Sequence, residues 1–221
     1  MAVCKTMNVL STQNPENAPV FIWGLDMSHG ETAVSLFEEV KTLTDKDFSL
    51  VVFDVTDWNA QFSPWPAPAV FGKNAFSGKG NDTLRFLEDE FLPEIKSKFQ
   101  GSETFLTGYS LAGLFALWAG YQSGRFDGIA AASPSVWFPH FTEYMKKRTL
   151  LTPAVYLSLG DREEKTRNTV MARVGDAIRE GYDILQAAGA DCIFEWNKGN
   201  HFKDPDLRTA RAFAWLINRN K

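Results

Sequence analysis

The chain's 221 residues, 44% hydrophobic and 23% charged, can bury a sizeable core and suit a single domain spanning residues 1–221. A formal net charge of −4, with basic residues scattered among acidic ones, excludes the cationic face that nucleic acid would need. Cys4 and Cys192, far apart and without CxxC spacing, exclude a disulfide framework and read as reduced packing thiols.

The opening "MAVCKTMNVLSTQNPENAPV" has no basic region followed by a long apolar core, so no secretory signal is read and a cytoplasmic location is expected. "PVFIW" (19–23) is a short apolar run closed by Gly24 and suits a buried strand. In "ETAVSLFEEVKTLTD", Ala33, Leu36, Phe37, Val40 and Leu43 recur at helical spacing. "FSLVVFDV" (48–55) is a second buried strand. A long aromatic, Pro- and Gly-rich connection, 56–81, follows and is expected to lie over the sheet edge and shape a pocket.

"DTLRFLEDEFLPEIKSKF" (82–99) is amphipathic, with Asp82 a candidate N-cap, and leads to the strand "TFLTG". "LAGLFALWAGYQSG" reads as a helix stopped by Gly124, and "GIAAASPSVW" as a strand broken at Pro134. The strand "AVYLSLG" (154–160), the helix "TVMARVGDAIREGYDILQAAG", the strand "DCIFEWN" and the helix "DLRTARAFAWLINR" complete the series. Such alternation predicts an α/β fold, a mostly parallel sheet with helices on both faces. The stretch Thr104–Tyr121 carries no charge, yet its three glycines fit a strand, turn and helix rather than a membrane span.

Ser110 interrupts that apolar stretch at the carboxyl end of "TFLTG", where open α/β sheets place their ligands. A serine on a sharp strand-to-helix turn projects its oxygen into the cleft, and Gly108, Ala112 and Gly113 are small enough to let the backbone turn. The amide of Leu111, opening the helix, would face an oxyanion. A nucleophilic serine needs a base and an orienting acid, in the order serine, acid, histidine in this fold. Of the three histidines, His201 follows the last strand on a loop, whereas His29 lies after the first and His140 precedes the acid candidates. Asp161, Glu163 and Glu164 in "GDREEKTRN" all qualify as the acid; Glu163 is preferred because the third residue past the strand-ending glycine can turn back toward the base, with Asp161 next.

The segments "GYSLAGL", "AASPSVWF", "SLGDREE" and "GNHF", spaced as they are, resemble the putative esterase family of α/β-hydrolases, which includes ferric-enterobactin esterase-like and carboxylesterase D-like enzymes. The likeness runs from "PVFIW" to the final helix. It implies the α/β-hydrolase fold, with Ser110 as nucleophile, His201 as base and Glu163 or Asp161 as acid. It also implies oxyanion donors at Leu111 and at Leu25 or Asp26, although "WGLDMSHG" departs from the family's usual Asp-Gly or His-Gly, and Ala112 stands where glycine is more usual.

Only "SPSVWFPHFTEYMKKRTLLT" separates two strands where many relatives insert a lid, so no large lid domain is expected. The substrate walls then fall to Trp58, Trp65 and Trp137, with Phe62, Phe71 and Phe138 beside them. The function expected is serine esterase action on a small-molecule carboxylic ester, with no metal, organic cofactor, nucleic acid or membrane involved; nothing in the sequence sets the oligomeric state. A siderophore lactone esterase, a thioesterase and a non-catalytic binding module of the same fold are the alternatives.

Overall fold

The computed structural model describes residues 7–26, 30–70 and 72–219, so Cys4, His29 and Phe71 lie outside the described residues. In chain order the elements are β1 (Met7–Ser11), β2 (Val20–Leu25), α1 (Gly30–Leu43), β3 (Ser49–Asp54), α2 (Trp58–Gln61), β4 (Pro66–Ala67), β5 (Phe76–Ser77) and α3 (Gly80–Phe86). A π-helical turn, Leu87–Phe91, joins α3 to α4 (Leu92–Lys98), followed by β6 (Thr104–Tyr109), α5 (Leu111–Gln122), β7 (Gly128–Ala132), α6 (Phe141–Lys146) and β8 (Ala154–Gly160). A 3-10 turn, Met171–Arg173, then leads into α7 (Val174–Ala187), β9 (Asp191–Asn197) and α8 (Pro205–Asn218).

Seven strands form one sheet in the order β1-β3-β2-β6-β7-β8-β9. Only β1 runs antiparallel, its Val9 opposite Val51 of β3. Side chains along β2 and β3 alternate between two apolar layers, as the pleat requires. Val20, Ile22, Val51 and Phe53 enter the layer that includes residues of α3, α4, α5, α6 and α7. Phe21, Trp23, Leu50 and Val52 enter the layer covered by α1 and α8, where the Phe21 and Phe213 rings stack with centroids 3.8 Å apart.

This double covering explains the uncharged run: every residue of α5 from Leu111 to Tyr121 is buried, so no face of that helix is left for water. Among the described residues no helix is long and apolar enough to cross a membrane.

Three local expectations need correction. The helix expected over 82–99 starts at Gly80, with Lys79 rather than Asp82 at the cap, and it is interrupted by the π turn just before Pro93. Proline has no amide proton and its ring crowds the carbonyl four residues back, so an unbroken helix cannot run through that point. The strand expected to break at Pro134 ends two residues earlier, at Ala132, and Ser133 turns the chain with φ 41°. The long helix expected over 169–189 is regular only from Val174 to Ala187.

The aromatic connection after β3 is ordered by its own polar groups. Asp57 caps α2 by accepting the Ala60 N–H at 3.0 Å, and the Gln61 side-chain oxygen accepts the Thr56 and Asp57 amides, each at 2.8 Å. The β4–β5 ladder then returns the chain, and Gly78 (φ 73°) lies so close to the backbone of Trp65 and Pro66 that a Cβ would come within 2.4 Å of it. Between β7 and β8 there is a single short helix, α6, and no lid domain.

Candidate active site

β6 delivers Ser110 to the carboxyl edge of the sheet, and α5 starts on the next residue. Ser110 adopts φ 60° and ψ −121°, backbone values that cost a non-glycine residue about 1–3 kcal/mol. Three hydrogen bonds hold it there. Its N–H donates to the Ala132 carbonyl at 3.1 Å, and its own carbonyl accepts the Leu114 and Ser135 amides, each at 3.0 Å. A Cβ on Gly108 would sit 2.2 Å from the Ala112 carbonyl carbon, so the turn needs that glycine, and one on Gly113 would sit 3.0 Å from the Gly108 oxygen and crowd it. Ala112 is buried within this turn, and its methyl group is accommodated.

The Ser110 hydroxyl lies 2.9 Å from His201 Nε2, and His201 Nδ1 lies 2.7 Å from Glu163 Oε2. With a proton on Nδ1 donated to the carboxylate, Nε2 is free to accept from the serine. Burial pushes the Glu163 carboxyl up, but the His201 hydrogen bond and charge, with the Gly160 amide and the Ser133 hydroxyl, outweigh it and hold the group below the usual glutamate range.

The other acid candidates turn elsewhere. Asp161 accepts the Gly199 amide at 2.8 Å, which holds its carboxyl below the ordinary aspartate value, and Glu164 pairs with Arg179 at 3.1 Å. Neither carboxylate is bonded to His201. His140 is exposed at the start of α6.

A cleft of about 420 Å³ opens beside Ser110 and Leu111, walled by Trp58, Phe76, Trp137, Met171 and Phe202. A second space of about 250 Å³ adjoins it across His201, Trp137 and Phe202, with Arg162 and Lys165 at its edge. Trp58 and Trp137 both line the cleft. Trp65 does not: its indole N–H donates to the Pro139 carbonyl at 3.1 Å and its ring packs on Phe138, Phe141 and Tyr144. Phe62 is core, packed against Phe53, Trp58 and Phe115, and Phe138 is equally buried. Leu25 ends β2 with its carbonyl accepting the Val55 amide at 3.1 Å, and its side chain packs beneath α1 and α8. Cys192 is a free thiol, partly buried against the core.

Several contributors escaped the sequence reading: Ser133, Phe76, Phe202 and, above all, Arg208. Arg208 is 1% exposed and donates to Glu163 Oε1 at 2.7 Å. Its position carried a signal, because it falls on the buried stripe of α8 with Ala212, Phe213 and Leu216, where a cation must find a partner.

A family model described as "Putative esterase" matches residues 6–194, a range that takes in Ser110 and Glu163 and ends before His201. The chain belongs to this putative esterase family. As a member it is an esterase, with the α/β-hydrolase architecture.

Solved structures share that fold. The siderophore hydrolase EstA from Aspergillus nidulans is 20% identical, with 96% of this chain and 89% of that chain covered and a TM-score of 0.68. An IroE-like serine hydrolase from Shewanella oneidensis is 17% identical, with coverage of 96% and 75% and a TM-score of 0.75. The enterobactin esterase FES from Shigella flexneri is 19% identical, with coverage of 95% and 55% and a TM-score of 0.64. No curated protein sequence matches the chain.

Proposed function

We propose that this esterase cleaves small carboxylic esters through an acyl-enzyme on Ser110. The observation that carries the reading is the continuous chain from the Ser110 hydroxyl through His201 to Glu163, with links of 2.9 and 2.7 Å. His201 Nε2 takes the serine proton as the oxygen attacks the ester carbonyl, and Glu163 balances the imidazolium that forms. Leu111 opens α5 and lines the cleft, and its backbone amide is the donor we assign to the tetrahedral oxyanion. The imidazolium returns its proton to the leaving alcohol. Water, deprotonated by the same imidazole, then attacks the acyl-serine; the acid leaves as the imidazolium returns that proton to the Ser110 oxygen.

Hydrolysis of p-nitrophenyl acetate tests this directly: Ser110→Ala loses at least about a thousandfold in kcat with its melting temperature kept. Equal activity of the two proteins would remove Ser110 from the reaction. A narrower reading takes a siderophore ester as substrate; the names of EstA and FES favour it. A panel of oxygen esters, thioesters and cyclic lactones separates it from a general esterase and from a thioesterase, the lactone being preferred if it holds. A binding module without turnover is disfavoured, since serine, imidazole and carboxylate are all present and joined.

A further inference from the structure

The Glu163 carboxylate divides its two oxygens between different tasks. Oε2 faces His201, while Oε1 accepts the Gly160 amide at 2.7 Å, the Ser133 hydroxyl at 2.8 Å and Arg208 at 2.7 Å. The same guanidinium has a second arm. Its other terminal nitrogen donates to the carbonyls of Lys198 at 3.1 Å and Asn200 at 2.8 Å, in the turn that ends on His201. The nitrogen that bonds Glu163 also donates to the Tyr109 hydroxyl at 3.2 Å, and Tyr109 in turn donates to the His201 carbonyl at 2.5 Å.

One buried side chain on α8 thus grips the carboxylate after β8, the turn after β9 and, through Ser133 at 3.2 Å, the turn after β7. The four N–H groups on the two ends of a planar fork can hold these acceptors in fixed directions, whereas a lysine ammonium is a single point with three donors. Ser110 and Leu111 line the cleft, while the Arg208 side chain is 2% exposed and bonds the groups behind it, so it does not touch a substrate there.

We propose that Arg208 is a positioning residue for ester hydrolysis. It fixes the plane of the Glu163 carboxylate and the 198–201 turn together, and so aims Nε2 of His201 at the serine. The proposal rests on the reading of Ser110, His201 and Glu163 as the reacting groups.

The test uses p-nitrophenyl acetate kinetics on folded Arg208→Gln, Arg208→Lys, Glu163→Gln and the Arg208→Gln/Glu163→Gln double variant. A misdirected imidazole lowers kcat for Arg208→Gln by about a hundredfold, with KM within about twofold of wild type. Arg208→Lys, which keeps the charge without the fork, falls between Arg208→Gln and wild type. In the Glu163→Gln background the Arg208→Gln loss shrinks to less than about tenfold, because the two residues act as a unit.

Folded Arg208 variants with kcat within about twofold of wild type, or an Arg208→Gln loss of equal size in both backgrounds, overturn the proposal. Should Arg208→Gln not fold, Arg208→Lys carries the same two criteria. An inert Arg208 beside a crippled Glu163→Gln sinks only the positioning role. Wild-type kcat in Glu163→Gln instead removes the underlying reading of the acid.

Discussion

Two carboxylates two residues apart, Asp161 and Glu163, end up with different work, and the difference is one of neighbours. Asp161 stitches the turn after β8 to Gly199, while Glu163 is buried between an imidazole and a guanidinium. Glu163→Gln should therefore lower kcat on the order of 10³–10⁴-fold and Asp161→Asn by less than about tenfold, measured on p-nitrophenyl acetate; the reverse ranking would move the acid to Asp161. Acid stability follows with the same sign. A carboxyl whose folded pKa lies below its unfolded value stabilises the fold above that unfolded value and loses the contribution as pH falls through the folded one. Melting curves taken downward from about pH 5 should thus fall less steeply for Glu163→Gln than for wild type. The sequence offered three acids on one loop, and the offset from Gly160 favoured Glu163. The preference could not become a choice there, because its partners His201 and Arg208 lie 38 and 45 residues away.

At the level of elements, the Ser110 turn shows how closely β6 and α5 must approach. Gly108→Ala places a methyl where Ala112 already has its carbonyl group, so the turn has to open. We expect a loss of about 1–3 kcal/mol in unfolding free energy together with at least about a hundredfold in kcat/KM. A variant with unchanged melting and kinetics would mean that the close packing is not needed. This element was legible in the sequence less from the small residues themselves than from their place between a strand and a helix, with an acid and a histidine following in order. The 56–81 connection was legible only as a pocket wall: Trp58 lines the cleft, but Trp65 is turned away by its bond to Pro139 and by the aromatic ring cluster, contacts no local pattern encodes. Asp82 looked like a cap, yet it falls within the first turn of α3, because the chain enters that helix from the β5 turn at Gly78.

Across the whole molecule, the alternation of buried strands and helices was readable because parallel strands covered on both faces appear as unbroken apolar runs. β1 was not, since a five-residue edge strand with only partial burial carries no such run. Nor could strand order be read. The sheet places β6 beside β7, with β8 and β9 following, and this order gathers the turns bearing Ser110, Ser133, Glu163 and His201 at one edge. That gathering is the basis of the functional reading, and labelling with a fluorophosphonate followed by peptide mapping tests it most directly. The account predicts a single adduct, on the peptide that contains Ser110, and none in His201→Ala under the same exposure. An adduct on Ser133 or Ser135 instead, or ester hydrolysis that persists in protein fully labelled at Ser110, would contradict it.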